Sequence, residues 1–312
     1  MDRQTENKII LITRRTRLED LIARFNTAGQ AKFYIEHSGA DFSDYQLEHE
    51  TYLSAIALAE ETLRTHGRVL KLDRAFLPNF IFGKNDGIVV IGQDGLVANV
   101  LKYTIGNPVL AINPDPSRFD GVLLPFRIDD LKAIMPEALE RRRPVKEITM
   151  AKATLNNGQI LYGVNDLFIG ARTHVSARYQ IRIGKVEERQ SSSGIIVSTG
   201  LGSTGWLKSI LAGAEGIARF LGKGPIQADR AGGFAWNADY LVYSVREPFP
   251  SKWTQVSLVF GRIESRETMV LTSNMPENGV IFSDGIEADY CDFNSGVSVT
   301  VGVAEKKGLL VQ

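Results

Sequence analysis

The chain has 312 residues, 44% of them hydrophobic and 23% charged, with 36 basic side chains balanced by 36 acidic ones. That length and composition provide for a sizeable core and more than one ordinary domain, and a zero net charge argues against binding nucleic acid through phosphate neutralisation. Cys291 is the only cysteine, which excludes an internal disulfide framework or cysteine-based zinc site, and no run approaches the ~20 apolar residues of a membrane span, so a soluble cytoplasmic protein is expected.

Residues 8–12 (Lys-Ile-Ile-Leu-Ile) are predicted as a buried strand. Leu18, Leu21, Ile22 and Phe25 then recur at helical spacing, predicting a helix that ends near Gly29. A second amphipathic helix is predicted from about Glu48 to His66, with Tyr52, Ala55, Ile56, Ala59 and Leu63 on one stripe and Gly67 as its C′ residue. Residues 69–72, 88–91 and 109–112 read as further strands. Uniformly apolar strands between helices predict a mostly parallel α/β sheet covered on both faces.

After Arg141-Arg142-Arg143-Pro144 the pattern changes to short strands, at 148–155, 159–162, 178–183, 195–198, 240–245, 256–260, 269–272, 280–282 and 297–301. Asn157-Gly158 supplies a hairpin turn between the first two, and one helix at about 205–221 interrupts the series. The expected organisation is an α/β domain over residues 1–145 and a β-rich, sandwich-like domain over 146–312, with the last strand free to return to the first domain.

Two segments point to chemistry. In the first, the strand 88–91 runs into Gly92-Gln93-Asp94-Gly95, and Leu96, Val97, Val100 and Leu101 follow at helical spacing. Strand, glycine-bearing turn and helix start form a phosphate site, where free backbone N–H groups face the carboxyl edge of the sheet. Like charge would repel phosphate, so Asp94 there either orients a magnesium ion or accepts a proton from an attacking hydroxyl. The plainer reading is an Asp-Gly turn in which Asp94 caps the helix. In the second, strand 195–198 passes through Thr199-Gly200-Leu201-Gly202-Ser203-Thr204-Gly205 to Trp206 at a helix start. Gly200 to Gly205 match the G-x-G-x-x-G spacing, but Asp229 is the nearest following acid and sits in a glycine-rich loop. The alternative there is a glycine-rich corner with Trp206 in the core.

At these places the chain resembles the NAD kinase family. Gly92-Gln93-Asp94-Gly95-Leu96 stands where that family has Gly-Gly-Asp-Gly-Thr, and Val164-Asn165-Asp166 resembles its Asn-Glu element. Residues 193–199 with Gly202-Ser203-Thr204-Gly205-Trp206 resemble its glycine-rich NAD cradle, and Ser283-Asp284-Gly285 a late Asp-Gly element. The resemblance covers most of the chain from Lys8 onward. It implies an NAD kinase-like fold whose first domain binds nucleotide and whose second binds substrate, in a homodimer or homotetramer. ATP, Mg²⁺ and NAD are the implied donor, metal and acceptor. Asp94 is then the general base for a ribose 2′-hydroxyl, Gly92 and Gly95 lie by the triphosphate, and Asn165 and Asp166 hold ribose hydroxyls. Thr204, Gly205 and Trp206 border the adenine end, and Ser203 and Asp284 belong to the same substrate-binding region. Departures fall on the acceptor side: Gln93 for glycine, Leu96 for threonine, Ser193 for aspartate, Asp166 for glutamate and Trp206 for tyrosine. A sugar or nucleoside-like acceptor on the same fold, and a non-catalytic NAD(P) sensor, are the alternatives.

The rigid loop from Asn113 to Gly121 carries Arg118, within reach of a phosphate or else solvated on a stiff connector. Arg14, Arg15 and Arg17 follow the first strand and point to the same sheet edge. His49, between Glu48 and Glu50, reads as a solvated helix start, and the four histidines lack metal spacing.

Overall fold

A computed structural model describes residues 7–223 and 233–312, so Asp229 lies outside the described residues. The chain divides into two compact units, Met1–Lys146 with Leu309–Gln312, and Glu147–Gly308.

The first unit contains β1 (Lys8–Thr13), α1 (Arg17–Phe25), α2 (Ala28–His37), α3 (Phe42–Arg64), β2 (Arg68–Asp73), β3 (Gly87–Ile91), α4 (Asp94–Leu101), β4 (Pro108–Asn113), β5 (Phe126–Arg127) and α5 (Leu131–Leu139). Its strands run parallel in the order β2-β1-β3-β4, with β5 and the late residues Leu309 and Leu310 both parallel to β4. Side chains alternate across a strand. Ile9, Leu11, Val89, Ile91, Leu110 and Ile112 therefore share one face and pack on Tyr52, Ala55, Ala59 and Leu63 of α3 and Leu131 and Met135 of α5. Their alternates Ile10, Ile12, Ile88 and Val90 are equally buried, and α4 packs on β3 and β4. Each such side chain contributes about 2 kcal/mol by leaving water.

Helix boundaries differ from expectation in three places. Thr16 and Glu19 start α1 with a reciprocal capping box, but it ends at Asn26, whose φ is 67°, and Gly29 lies inside α2. Helix α3 starts six residues before Glu48, capped by Asp41. Gly67 is not a left-handed C′ residue. It is glycine because a Cβ would stand 2.5 Å from the Asn7 carbonyl oxygen, where Asn7 and Arg68 begin the β1–β2 pairing.

The second unit holds β6 (Val145–Leu155), β7 (Ile160–Gly163), β8 (Asp166–Ala171), β9 (Ala177–Ile183), β10 (Val186–Ser192), β11 (Ile195–Ser198), α6 (Trp206–Phe220), β12 (Tyr240–Val245), β13 (Phe260–Glu264), β14 (Met269–Ser273), β15 (Gly279–Ser283), β16 (Ile286–Asp292) and β17 (Ser298–Val311). One layer has the order β10-β9-β14-β17, with β6 between β17 and β7; the other runs β13-β12-β11-β8-β15-β16. Leu167, Ile169, Ile195, Val197 and Ile281 of the second layer share a core with Tyr179, Ile181, Leu271 and Val299 of the first. This is the expected sandwich-like half, and α6 lies on the second layer through Trp206 and Ile210 against Phe168, Ile196 and Val280.

Strand β13 begins only at Phe260, the last residue of the predicted 256–260, and β8, β10 and β16 were not predicted. Strand β10 hides because its inward residues are polar. Glu188, Gln190 and Ser192 are buried, Glu188 accepting the Leu258 N–H at 2.8 Å while Gln190 and Ser192 meet the Tyr179 hydroxyl at 2.9 and 2.8 Å. Among the described residues no helix is long and apolar enough to cross a membrane.

Candidate active site

In the first unit, four parallel strands end at one edge of the sheet, and each delivers a polar or charged group there. Arg14 and Arg15 follow β1, Arg74 follows β2, Gln93 and Asp94 follow β3, and Arg118 sits in the loop after β4. The carboxyl edge of an open α/β sheet is the ordinary place for a ligand. Arg14, Arg15, Arg17, Arg74, Gln93 and Arg118 line a cavity of about 670 Å³, joined there by the carboxylates Asp20, Glu48 and Asp73.

Not all these arginines are available. Arg14 is buried, donating to Glu48 Oε1 at 2.9 Å and to the Arg15 carbonyl at 2.8 Å, and its Nε is buried with no partner. Arg17 donates to the same Glu48 carboxylate and to Asp44 at 2.8 Å, and Arg118 reaches the other Asp44 oxygen at 2.7 Å. Hydrogen bonds from Arg118 and Arg17 hold the Asp44 carboxyl down at about 2. Burial works to raise Glu48, but Arg17 and Arg14 outweigh it and hold that carboxyl below its usual range. Glu48 and His49 are thus no solvated helix start: His49 Nδ1 meets the Thr16 hydroxyl at 2.9 Å. Arg15 and Arg74 are exposed and form no ion pair among the described residues. The buried Tyr52 ties the edge together, its hydroxyl donating to the Ile91 carbonyl at 2.8 Å and accepting the Arg14 N–H at 3.0 Å.

Asp94 does not cap its helix. Gln93 occupies the N-cap without a side-chain hydrogen bond, and Asp94 is the first helical residue. Its Oδ1 accepts the Leu123 N–H at 2.6 Å, anchoring the loop that carries Arg118, and its Oδ2 makes no hydrogen bond among the described residues. Asn113 stiffens that loop by donating to the Phe119 carbonyl at 3.0 Å and accepting from Asp115 at 3.1 Å. A Cβ on Gly92 would stand 2.8 Å from Leu96 Cδ2, so that glycine admits the leucine, whereas Gly95 is exposed with nothing within 4 Å of a Cβ.

In the second unit, Asn165, Asp166, Asp284 and the glycine-rich turn come together. Asp284 has a φ of 56°, and its Oδ1 accepts N–H groups from Val164, Asn165 and Asp166 at 2.9, 2.6 and 3.3 Å. It shapes the Asn165–Asp166 turn through the backbone. The Thr199 hydroxyl donates to the Val164 carbonyl at 2.6 Å, and its amide donates to the Asn165 carbonyl at 3.0 Å. Ser203 is buried and its hydroxyl fully used, donating to the Gly200 carbonyl at 2.6 Å and accepting from Phe234 at 3.1 Å. Thr204 and Gly205 are exposed. Burial pushes the Asp166 carboxyl up to about 7, with Asp284 adding to the rise against the Ser198 hydroxyl, and Asp166 Oδ1 is buried without a hydrogen-bond partner. Trp206 stacks near-parallel to Phe168 with centroids 5.9 Å apart.

Sequence reasoning missed Glu48, Asp44 and Arg74. Only Arg74 carried a usable signal, as the residue directly after a strand of the parallel sheet.

No family model and no curated protein matches the sequence. Solved structures do. An NAD kinase from Archaeoglobus fulgidus in complex with ATP aligns over 98% of this chain and 93% of its own, at 16% identity and a TM-score of 0.54. Yeast NADH kinase complexed with NADH aligns over 98% of this chain and 83% of its own, at 15% identity and a TM-score of 0.58. Fold and edge geometry define a parallel α/β unit with an acid-bearing strand–turn–helix, followed by an antiparallel β sandwich. That architecture is the NAD kinase-like fold.

Proposed function

We propose that the protein is an ATP-dependent phosphotransferase of the NAD kinase type, with the 2′-hydroxyl of NAD as acceptor. The observation that carries this reading is Asp94, a half-buried carboxylate at the carboxyl edge of the parallel sheet, where the neighbouring strand ends also deliver Arg15, Arg74 and Arg118. Arg15 and Arg74 meet the triphosphate first, while Arg118 engages it by giving up Asp44. Asp94 takes the hydroxyl proton as the acceptor oxygen bonds to the γ-phosphorus. The bond from that phosphorus to the bridging oxygen breaks, and ADP leaves. Among the described residues no three His, Cys, Asp or Glu gather as a metal cage. Magnesium bound with the nucleotide would be held mainly by its phosphates and water, and would neutralise phosphate charge. The unpartnered Asp166 Oδ1 and the neighbouring Asn165 suit a pair of ribose hydroxyls. Thr204, Gly205 and Trp206 are left as the contacts to the adenine end, since the Ser203 hydroxyl is already used.

The test is NADP formation from ATP, Mg²⁺ and NAD by the wild type and Asp94→Asn. Turnover that falls about 10²- to 10⁴-fold in a folded mutant supports the reading. No NADP, with phosphate passing instead to a sugar or nucleoside, keeps the phosphotransferase and removes the acceptor. Ligand binding without turnover, unchanged in Asp94→Asn, marks a sensor and ends the catalytic reading.

A further inference from the structure

At the sheet edge of the first unit two carboxylates of α3 hold the arginines, and they differ in how firmly they are seated. The Glu48 side chain is only 5% exposed and receives both Arg14 and Arg17. Asp44, one helical turn earlier, is 45% exposed. Its Oδ2 accepts from Arg17 at 2.8 Å and its Oδ1 from Arg118 at 2.7 Å. Helix capping does not account for Asp44, because Asp41 already accepts the Ser43 N–H at 2.8 Å. Glu48 is a buried fixture of the edge, whereas Asp44 has water to turn into.

Arg118 reaches Asp44 from the loop that Asn113 stiffens and that Asp94 anchors through the Leu123 N–H. Its Nε lies 3.5 Å from Asp115, buried and without a hydrogen bond. Hydrogen bonds from Arg118 and Arg17 hold the Asp44 carboxyl at about 2, so it stays charged throughout the neutral range. Two guanidiniums converging on one carboxylate present the same donors that they would present to a phosphate. When Arg118 leaves Asp44, Arg17 still has Glu48. The exchange therefore opens one ion pair and leaves the rest of the network standing.

We propose that Asp44 is an autoinhibitory anion: it occupies the Arg17–Arg118 fork in the free protein, and a phosphate chain must displace it to bind. The proposal rests on the nucleotide side of the phosphotransfer reading and deepens it, adding a competitor carried by the chain itself. A half-exposed ion pair is a weak competitor, changing affinity by a factor of several. Asp44 thus tunes the site for polyphosphates without closing it.

The experiment is calorimetric titration with inorganic tripolyphosphate and with ATP, in the absence of acceptor. Asp44→Asn binds both roughly three- to tenfold tighter than the wild type, and Asp44→Ser repeats the gain with a different side chain. Asp20→Asn removes another carboxylate of the same cavity that is not paired with Arg118, so it measures the general effect of charge and gains less. Arg118→Gln weakens binding, and adding Asp44→Asn to it restores little. Binding that is unchanged or weaker in both Asp44 variants overturns the proposal. So does a gain that Asp20→Asn matches, a gain that survives in full beside Arg118→Gln, or no tripolyphosphate binding by any of these proteins. Tighter tripolyphosphate binding in a protein that makes no NADP keeps the competitor and ends the phosphotransfer reading. NADP formation with no gain in the Asp44 variants keeps that reading and ends the competitor.

Discussion

The chain makes the same local move twice, strand to glycine-bearing turn to helix, and Gly95 in one turn meets surroundings opposite to those of Gly200 and Gly202 in the other. Between β11 and α6 the glycines are needed by the fold: a Cβ on Gly200 would stand 2.0 Å from the Ala235 carbonyl oxygen, and one on Gly202 2.1 Å from that of Asn165. Between β3 and α4, Gly95 faces open space, beside an aspartate with one free oxygen. Identical sequence punctuation marks packing in one place and an accessible edge in the other. What separates them is whether backbone or solvent lies across the turn.

The sharpest way to break this contrast is Asp94→Asn. It removes the proton acceptor while keeping the shape, so turnover falls about 10²- to 10⁴-fold. Urea unfolding should move little, because the amide oxygen still accepts from Leu123; a mutant that merely unfolds would reduce Asp94 to a loop anchor.

Next in size is Asp166→Asn. The Asp166 carboxyl sits at about 7 in the folded protein against the usual 3.8. Between those values the folded state holds a proton that the unfolded state has lost, so this group makes stability fall as pH rises from 4 towards 7. The asparagine variant should therefore match the wild type near pH 4 and exceed it by about 4 kcal/mol near pH 8. Equal slopes of stability against pH in the two proteins would remove the buried-acid reading.

Gly202→Ala should cost about 2–3 kcal/mol, since the new methyl meets backbone that cannot swing aside. Gly95→Ala is the smallest effect and runs the other way, a gain of roughly 0.5–1 kcal/mol from a better helix former in open space. Thermal melts of the pair decide it: if both lose stability, the two turns are alike after all. A stable Gly95→Ala protein with weakened ATP affinity would place the nucleotide against that turn.

Much of the architecture was legible in the chain. Apolar runs such as Ile9 to Ile12 and Ile88 to Ile91 specify strands buried on both faces, and the change to short strands after Pro144 separates the two halves. Strand β10 was hidden because Glu188, Gln190 and Ser192 point inward, satisfied by partners distant in sequence. The Gly92–Gly95 turn, with Asp94 inside it, was equally readable, because turn chemistry is local.

Pairing across the fold was not. Sequence placed arginines after β1 and in the loop after β4, but only the folded chain set Arg14 on Glu48 and Arg118 on Asp44, leaving Arg15 and Arg74 exposed. It likewise made Asp284 the acceptor of three amides, and gathered Phe168, Arg172 and Arg246 around one cavity. Periodicity and turns are encoded by neighbours a few residues apart, so the sequence alone determines them. Which charge meets which, and which glycine faces backbone or solvent, depends on segments tens of residues apart, and only tertiary packing decides it.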